Sequence, residues 1–156
     1  MSSLPIRRRI LGVDFGRARI GLAVSDELGL LAHPVKTIPA SHDAAKHIGQ
    51  IVREKNVERV VIGLPRHMNG SLGEAAGEAL AFAGKLRKLL SCEVVTWDER
   101  LTTIAANRAL RDGGQKTRES RNVVDQVAAQ MILQGYLDGL RSARDRDPER
   151  EVRQSD

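Results

Sequence analysis

Apolar positions along this chain recur with two different periods, and the switches between them mark out the elements. Residues 9–14 are an apolar run that carries one carboxylate, Asp14, and turns on Gly16. A second run covers residues 20–25. The link Gly16-Arg17-Ala18-Arg19 is short enough for a hairpin. Residues 30–38 read as a third strand, and Pro34 within it demands an edge or a bulge, because proline offers no N–H to a ladder. The period then lengthens. Ala44, Ile48, Ile51 and Val52 share a helical face, which predicts a helix over 41–55 capped by Ser41. Residues 57–63, around Val60-Val61-Ile62, read as a short buried strand, and 65–70 as a turn-rich loop. The longest helical pattern covers 71–90, with Ala75, Ala79, Phe82, Ala83, Leu86, Leu89 and Leu90 in one stripe and Ser71 with Glu74 as a capping box. A strand at 93–99 follows, then a short helix at 102–112 stopped by Gly113-Gly114. Residues 115–122 read as a polar, basic loop and 123–140 as a final helix.

The order is three strands, helix, strand, helix, strand, helix, helix. A leading hairpin followed by βα units predicts an α/β fold, a mixed sheet with helices on its faces. Residues 1–141 form one expected domain. From Ser142 to Asp156, arginines and carboxylates crowd around Pro148, and this stretch reads as a charged, disordered tail.

The acids in this pattern carry the chemistry. An unpaired carboxylate in an apolar strand loses hydration at a cost of several kcal/mol or more, so Asp14 requires a partner, and a metal ion is one. Active sites of such sheets gather at the carboxyl ends of strands. Asp14 lies at one predicted strand end, and Asp98 and Glu99 at another. Side chains alternate along a strand, so only one of that pair reaches a given face, and spacing alone leaves the choice open. Asp125 heads an apolar stripe of Ala128, Ala129, Ile132 and Tyr136 at the predicted start of the last helix. Each acid also has an ordinary reading. Asp14 could cap the hairpin, Glu99 could pair with Arg100 at the surface, and Asp125 could face a helix N-terminal dipole. Taken together, three carboxylates suit Mg²⁺ or Mn²⁺, which take oxygen ligands and position water against a phosphodiester.

Charge adds a partner. The 156 residues hold 25 Lys and Arg against 20 Asp and Glu, a formal net charge of +5, which favours a polyanion. Arg17 and Arg19 in the hairpin, Arg66 in the 65–70 loop, and Lys116, Arg118 and Arg121 in the 115–122 loop are candidates to hold phosphates. His67 could assist them. Aromatic residues are only 3% of the chain, too few for base stacking along a single strand, so backbone charge and shape should dominate recognition. The single cysteine, Cys92, excludes an internal disulfide and fits a reducing compartment. No apolar run approaches the about 20 residues of a membrane span. The expectation is a cytoplasmic protein without a membrane partner.

Four separated motifs then form a pattern. Gly12-Val13-Asp14-Phe15-Gly16, Gly63-Leu64-Pro65 with Met68-Asn69-Gly70-Ser71, Asp98-Glu99-Arg100-Leu101-Thr102, and Val124-Asp125 with Ala128-Ala129 and Ile132 to Leu137 resemble, in order, the YqgF family, also called RuvX, of Holliday junction resolvases. The resemblance covers about residues 10–140. It implies a ribonuclease H-like fold with a five-stranded mixed sheet and helices on both faces. It also implies a metal-dependent nuclease site in which Asp14, Glu99 and Asp125 are the acids, so Glu99 is preferred over Asp98 by analogy. Family members are linked to maturation of the 5′ end of the small-subunit ribosomal RNA precursor and to cleavage of branched DNA. The segment after Gly113 is less rich in lysine here than is common in the family.

The leading expectation is an Mg²⁺- or Mn²⁺-dependent endonuclease on structured RNA or DNA, with ribosomal RNA processing first and junction resolution second. The protein would act as a monomer or, where two strands of a junction are cut, a homodimer. Two other classes compete. Asp14-Phe15-Gly16 with Gly21 also resembles the first phosphate loop of ATP-dependent sugar kinases, which need a second domain. A non-catalytic nucleic-acid-binding module would explain the charge and leave the three acids unexplained.

Overall fold

The computed structural model describes residues 9–67, 69–101 and 117–146. Its elements are β1 (Arg9–Phe15), β2 (Arg19–Ser25), β3 (Ala32–Pro39), α1 (Ala44–Glu54), β4 (Val57–Leu64), α2 (Glu74–Leu89), β5 (Glu93–Asp98), a 3₁₀ turn (Glu99–Leu101) and α3 (Arg118–Arg146). The five strands form one sheet in the order β3-β2-β1-β4-β5. β1 pairs antiparallel with β2, and β2 with β3, while β1–β4 and β4–β5 are parallel. The expected mixed sheet is therefore present, and Pro34 sits on the outermost strand, where the ladder register shifts.

Alternation along the strands divides the core in two. Leu11, Val13, Ile20, Leu22, Val60, Ile62 and Leu64 face α1 and α2 with Ile48, Ile51, Phe82 and Leu86. Ile10, Ala23 and Val61 face α3 with Ala129, Ile132, Leu133 and Leu137. Each fully buried aliphatic side chain contributes about 1.5–3 kcal/mol. Between α1 and β4 the chain reverses at Asn56 (φ 54°), in the left-handed region that asparagine tolerates after a helix.

The α3 face is built for close approach. A Cβ on Gly12 would lie 2.7 Å from Leu133 Cβ, and one on Gly21 would collide with the Asp125 carbonyl oxygen. Side-chain amides fasten the helix to the edge strand. Gln134 Oε1 accepts from the Ala32 N–H at 2.9 Å, and Gln130 Nε2 donates to the Ala32 carbonyl at 2.9 Å. Among the described residues no helix is long and apolar enough to cross a membrane.

Several expected details are corrected. Helix α1 starts at Ala44 after Asp43, and the Ser41 hydroxyl serves the Asp43 N–H at 3.3 Å instead of capping the helix. Helix α2 starts after Gly73 with no side-chain cap. The Ser71–Glu74 capping box does not form, because Ser71 donates both its N–H (3.0 Å) and its hydroxyl (2.7 Å) to Asn69 Oδ1. Its buried stripe is Ala76, Ala79, Phe82, Ala83 and Leu86, while Ala75 and Leu89 are exposed. The expected loop 115–122 is largely helix: α3 begins at Arg118, and Thr117 caps it, its Oγ1 accepting from the Ser120 N–H at 3.1 Å. The helix runs past Leu140 to Arg146, so residues 142–146 of the expected tail are helical. The expected helix 102–112, Lys116 and residues 147–156 lie outside the described residues.

Candidate active site

Strand alternation aims Asp14 at α3. It stands two residues beyond Gly12, whose open face meets Ala129 and Leu133. Across the hairpin Asp14 is directly opposite Gly21. Opposite residues in an antiparallel pair share a face, and the open face of Gly21 meets Asp125, 3.1 Å from its Cβ. Asp14 and Asp125 thus occupy the same level of the β1–α3 interface.

Glu99 arrives from the other side. Val95 and Trp97 pack toward α3, and Glu99 continues that alternation as β5 passes into the 3₁₀ turn. Its Oε1 would lie 2.5 Å from a Cβ on Gly63, a glycine that also fits against Ile132. Gly63 is one residue past Ile62, which pairs with Val13 beside Asp14. The three acids therefore share one sheet face at the carboxyl ends of β1, β4 and β5. All three are buried, with relative exposures of 4% (Asp14), 3% (Glu99) and 4% (Asp125).

Asp98 takes the opposite path. It holds Arg100 through both carboxylate oxygens, with Nη2···Oδ2 2.6 Å and Nε···Oδ1 3.1 Å. That hydrogen-bonded guanidinium holds the Asp98 carboxyl below its ordinary range, and the carboxylate raises Arg100 in turn. Arg100 thus pairs with Asp98, not with Glu99 as the surface alternative required. Its role was missed in the sequence because residues two apart on a strand share a face with no bond between them, and only the 3₁₀ turn folds one back on the other.

Asp125 is also not where a dipole argument would put it. Since α3 begins at Arg118, Asp125 lies inside the helix, beyond the first turn where N-terminal charge is stabilising. Its partner is Arg19, whose Nε donates to Oδ2 at 2.6 Å. Arg19 stands at the start of β2, so this contact ties α3 to the hairpin.

The remaining basic candidates divide. Arg17 turns away to α2, pairing with Glu74 at 2.8 Å and Glu78 at 3.2 Å, and these carboxylates raise its pKa. Arg66 donates to the Gly70 carbonyl at 3.2 Å and lies 3.9 Å from Asp98, close to Arg100 on the Asp98 side of β5. Arg118 and Arg121 share a cavity with Arg19 at the start of α3. His67 packs against Gly73 before α2, where a Cβ would lie 2.6 Å from Nε2.

The donor chemistry fits a hard divalent cation: three buried carboxylates, with glycine at 21 and 63 where any larger residue would fill the space. Among the described residues no group of three His, Cys, Asp or Glu side chains is placed to hold an ion by itself. An open arrangement suits Mg²⁺, which keeps several waters and takes ligands from substrate phosphate as well as from one or two carboxylates.

A Clostridium tetani protein named "Putative pre-16S rRNA nuclease" is 45% identical over 134 residues, covering 85% of this chain and 97% of that protein. A Nocardia farcinica protein of the same name is 48% identical over 144 residues, covering 86% and 79%. The Thermus thermophilus RuvC structure solved with a Holliday junction substrate shares the fold at a TM-score of 0.53 and 15% identity, covering 83% of this chain and 94% of that one. The family model described as RuvX, Holliday junction resolvase, matches residues 8–139, and the chain belongs to that family.

Proposed function

We propose that this protein is a divalent-metal-dependent endonuclease that hydrolyses phosphodiester bonds in structured nucleic acid, with the 5′ end of the 16S ribosomal RNA precursor as its cytoplasmic substrate. The observation that carries the reading is the placement of Asp14, Glu99 and Asp125, all buried, on one face at one end of the sheet. The names of the 41–48% identical relatives supply the choice of RNA.

Asp14, Glu99 and Asp125 would hold Mg²⁺ or Mn²⁺, which supplies positive charge against the scissile phosphate and a water of lowered pKa. The chain's own residues do the rest. The hairpin and β4 set Asp14 and Glu99 at fixed depth, and Arg19 holds the Asp125 carboxylate in one orientation. Substrate phosphate would add its own oxygen ligands, so ion and substrate would favour one another's binding. Arginines at the rim hold phosphates on either side of the cut. No side-chain nucleophile is required.

Junction resolution is the second reading, favoured by the description of the matching family. It requires two cuts and hence a homodimer, whereas precursor trimming suits a monomer. The test is a parallel incubation of a labelled ribosomal precursor and a labelled four-way junction at equal enzyme and Mn²⁺. Cleavage of the precursor alone is expected. Paired symmetric cuts in the junction with an intact precursor would replace the first reading by the second. Asp14→Asn should abolish either activity while retaining the wild-type circular dichroism spectrum, and full cleavage by that variant would remove the acids from the mechanism.

A further inference from the structure

A cavity of about 380 Å³ lies on the Arg19 side of Asp125, between the β1–β2 turn, the end of β3 and the first turns of α3. Arg19, Arg118 and Arg121 line it, and among the described residues no acidic side chain does. Arg118 and Arg121 are three apart on a helix and so project together. No described carboxylate pairs with either of them, in contrast to Arg17, Arg59 and Arg100. Ala18 and Pro39 form an apolar wall. Thr37 Oγ1 donates to the Asn122 carbonyl at 2.8 Å, which pins the cavity's two sides together.

Size and charge narrow the ligand. Pockets for small organic molecules begin at roughly 300 Å³, so this space exceeds the need of a bare phosphate and accommodates one nucleotide. Guanidinium groups bind phosphate oxygens in charge-assisted pairs, and an apolar wall suits a sugar or base face. Arg19 joins the cavity to the acids, since the same side chain binds Asp125.

We propose that this cavity is a nucleotide subsite that receives one nucleotide of the substrate strand beside the cut, on the Asp125 side, with its phosphate on Arg118 and Arg121. The proposal rests on the nuclease reading for its substrate but not for its test. The full chain is titrated in EDTA with a short fluorescently labelled RNA strand over a salt series. Arg118→Ala/Arg121→Ala should flatten the slope of log K against log salt by about 1.4, since each lost single-strand contact is worth about 0.7. Ala18→Trp fills the space and keeps every charge, so affinity should fall about tenfold with the slope unchanged. Lys46→Ala/Arg53→Ala removes the same formal charge from α1, on the opposite sheet face, and should bind as wild type.

Equal weakening by the two double variants, or wild-type binding by Ala18→Trp, would overturn the subsite. Free adenosine monophosphate separates strand from effector: it should displace the labelled RNA only weakly, and displacement at micromolar concentration would make the cavity a free-nucleotide site instead. Because no metal or cleavage enters these measurements, an inactive wild type would defeat the nuclease reading and leave the subsite result standing.

Discussion

The same strands present two unlike faces. Toward α1 and α2 they show Leu11, Val13, Ile20, Leu22, Val60 and Ile62, side chains large enough to fill the layer. Toward α3, beside Ile10 and Val61, they show Gly12, Asp14, Gly21, Ala23 and Gly63, with less volume at these positions and one buried charge. One face is an ordinary core. The other has been stripped of bulk so that a helix can press its backbone against the sheet and bring Asp125 to the level of Asp14. Period-two alternation lets a single run of sequence write both, one residue out of step with the other.

That contrast can be broken from either side. The largest effect should come from charge on the α3 face. Glu99→Gln preserves shape and should lower cleavage on the order of a hundredfold or more, with the thermal midpoint near wild type. Cleavage assays beside calorimetry check this, and wild-type cleavage would return Glu99 to a structural role. Next, adjacent residues should both lose stability, for opposite reasons. Leu11→Ala empties space on the packed face and should cost about 2–5 kcal/mol in urea unfolding. Gly12→Ala adds a single methyl group on the other face and should still cost about 1–3 kcal/mol, because that carbon meets Leu133 and the Ala129 carbonyl. Equal tolerance of both would mean that α3 rides more loosely than its contacts indicate.

The smallest effect is titration of Asp98. Its folded pKa is depressed by Arg100, so its contribution is fully present above its unfolded value, about 3.9, and is lost as pH falls through the lower folded value. The pair is partly solvated, so the loss should be at most about 1 kcal/mol. Urea midpoints measured from pH 5 to 2 should fall less for Asp98→Asn than for wild type.

The mixed sheet, the edge or bulge position of Pro34 and the burial of the three acids were legible because each follows from period, proline chemistry or desolvation cost. The choice between Asp98 and Glu99 was open on spacing alone, since it depends on where β5 ends and the 3₁₀ turn begins. The start of α3 was misread for a related reason. Residues 118–122 carry no apolar stripe to reveal a helix, and the cap at Thr117 is a single hydroxyl in a polar run. The partners of Arg17 and Arg19 were beyond reach as well. Two arginines in one turn look alike until the sheet's twist sends one toward α2 and the other toward Asp125.

The outermost strand deserves a last thought for what it forbids. β3 carries Pro34 and ends at Pro39, so its free rim has gaps where amide donors would stand, and its register is already broken beside Pro34. Neighbouring molecules have a poor template there for zipping sheet to sheet. Strand-to-strand pairing of two copies would have to use the sheet's other border, β5, leaving this one as a guard against aggregation.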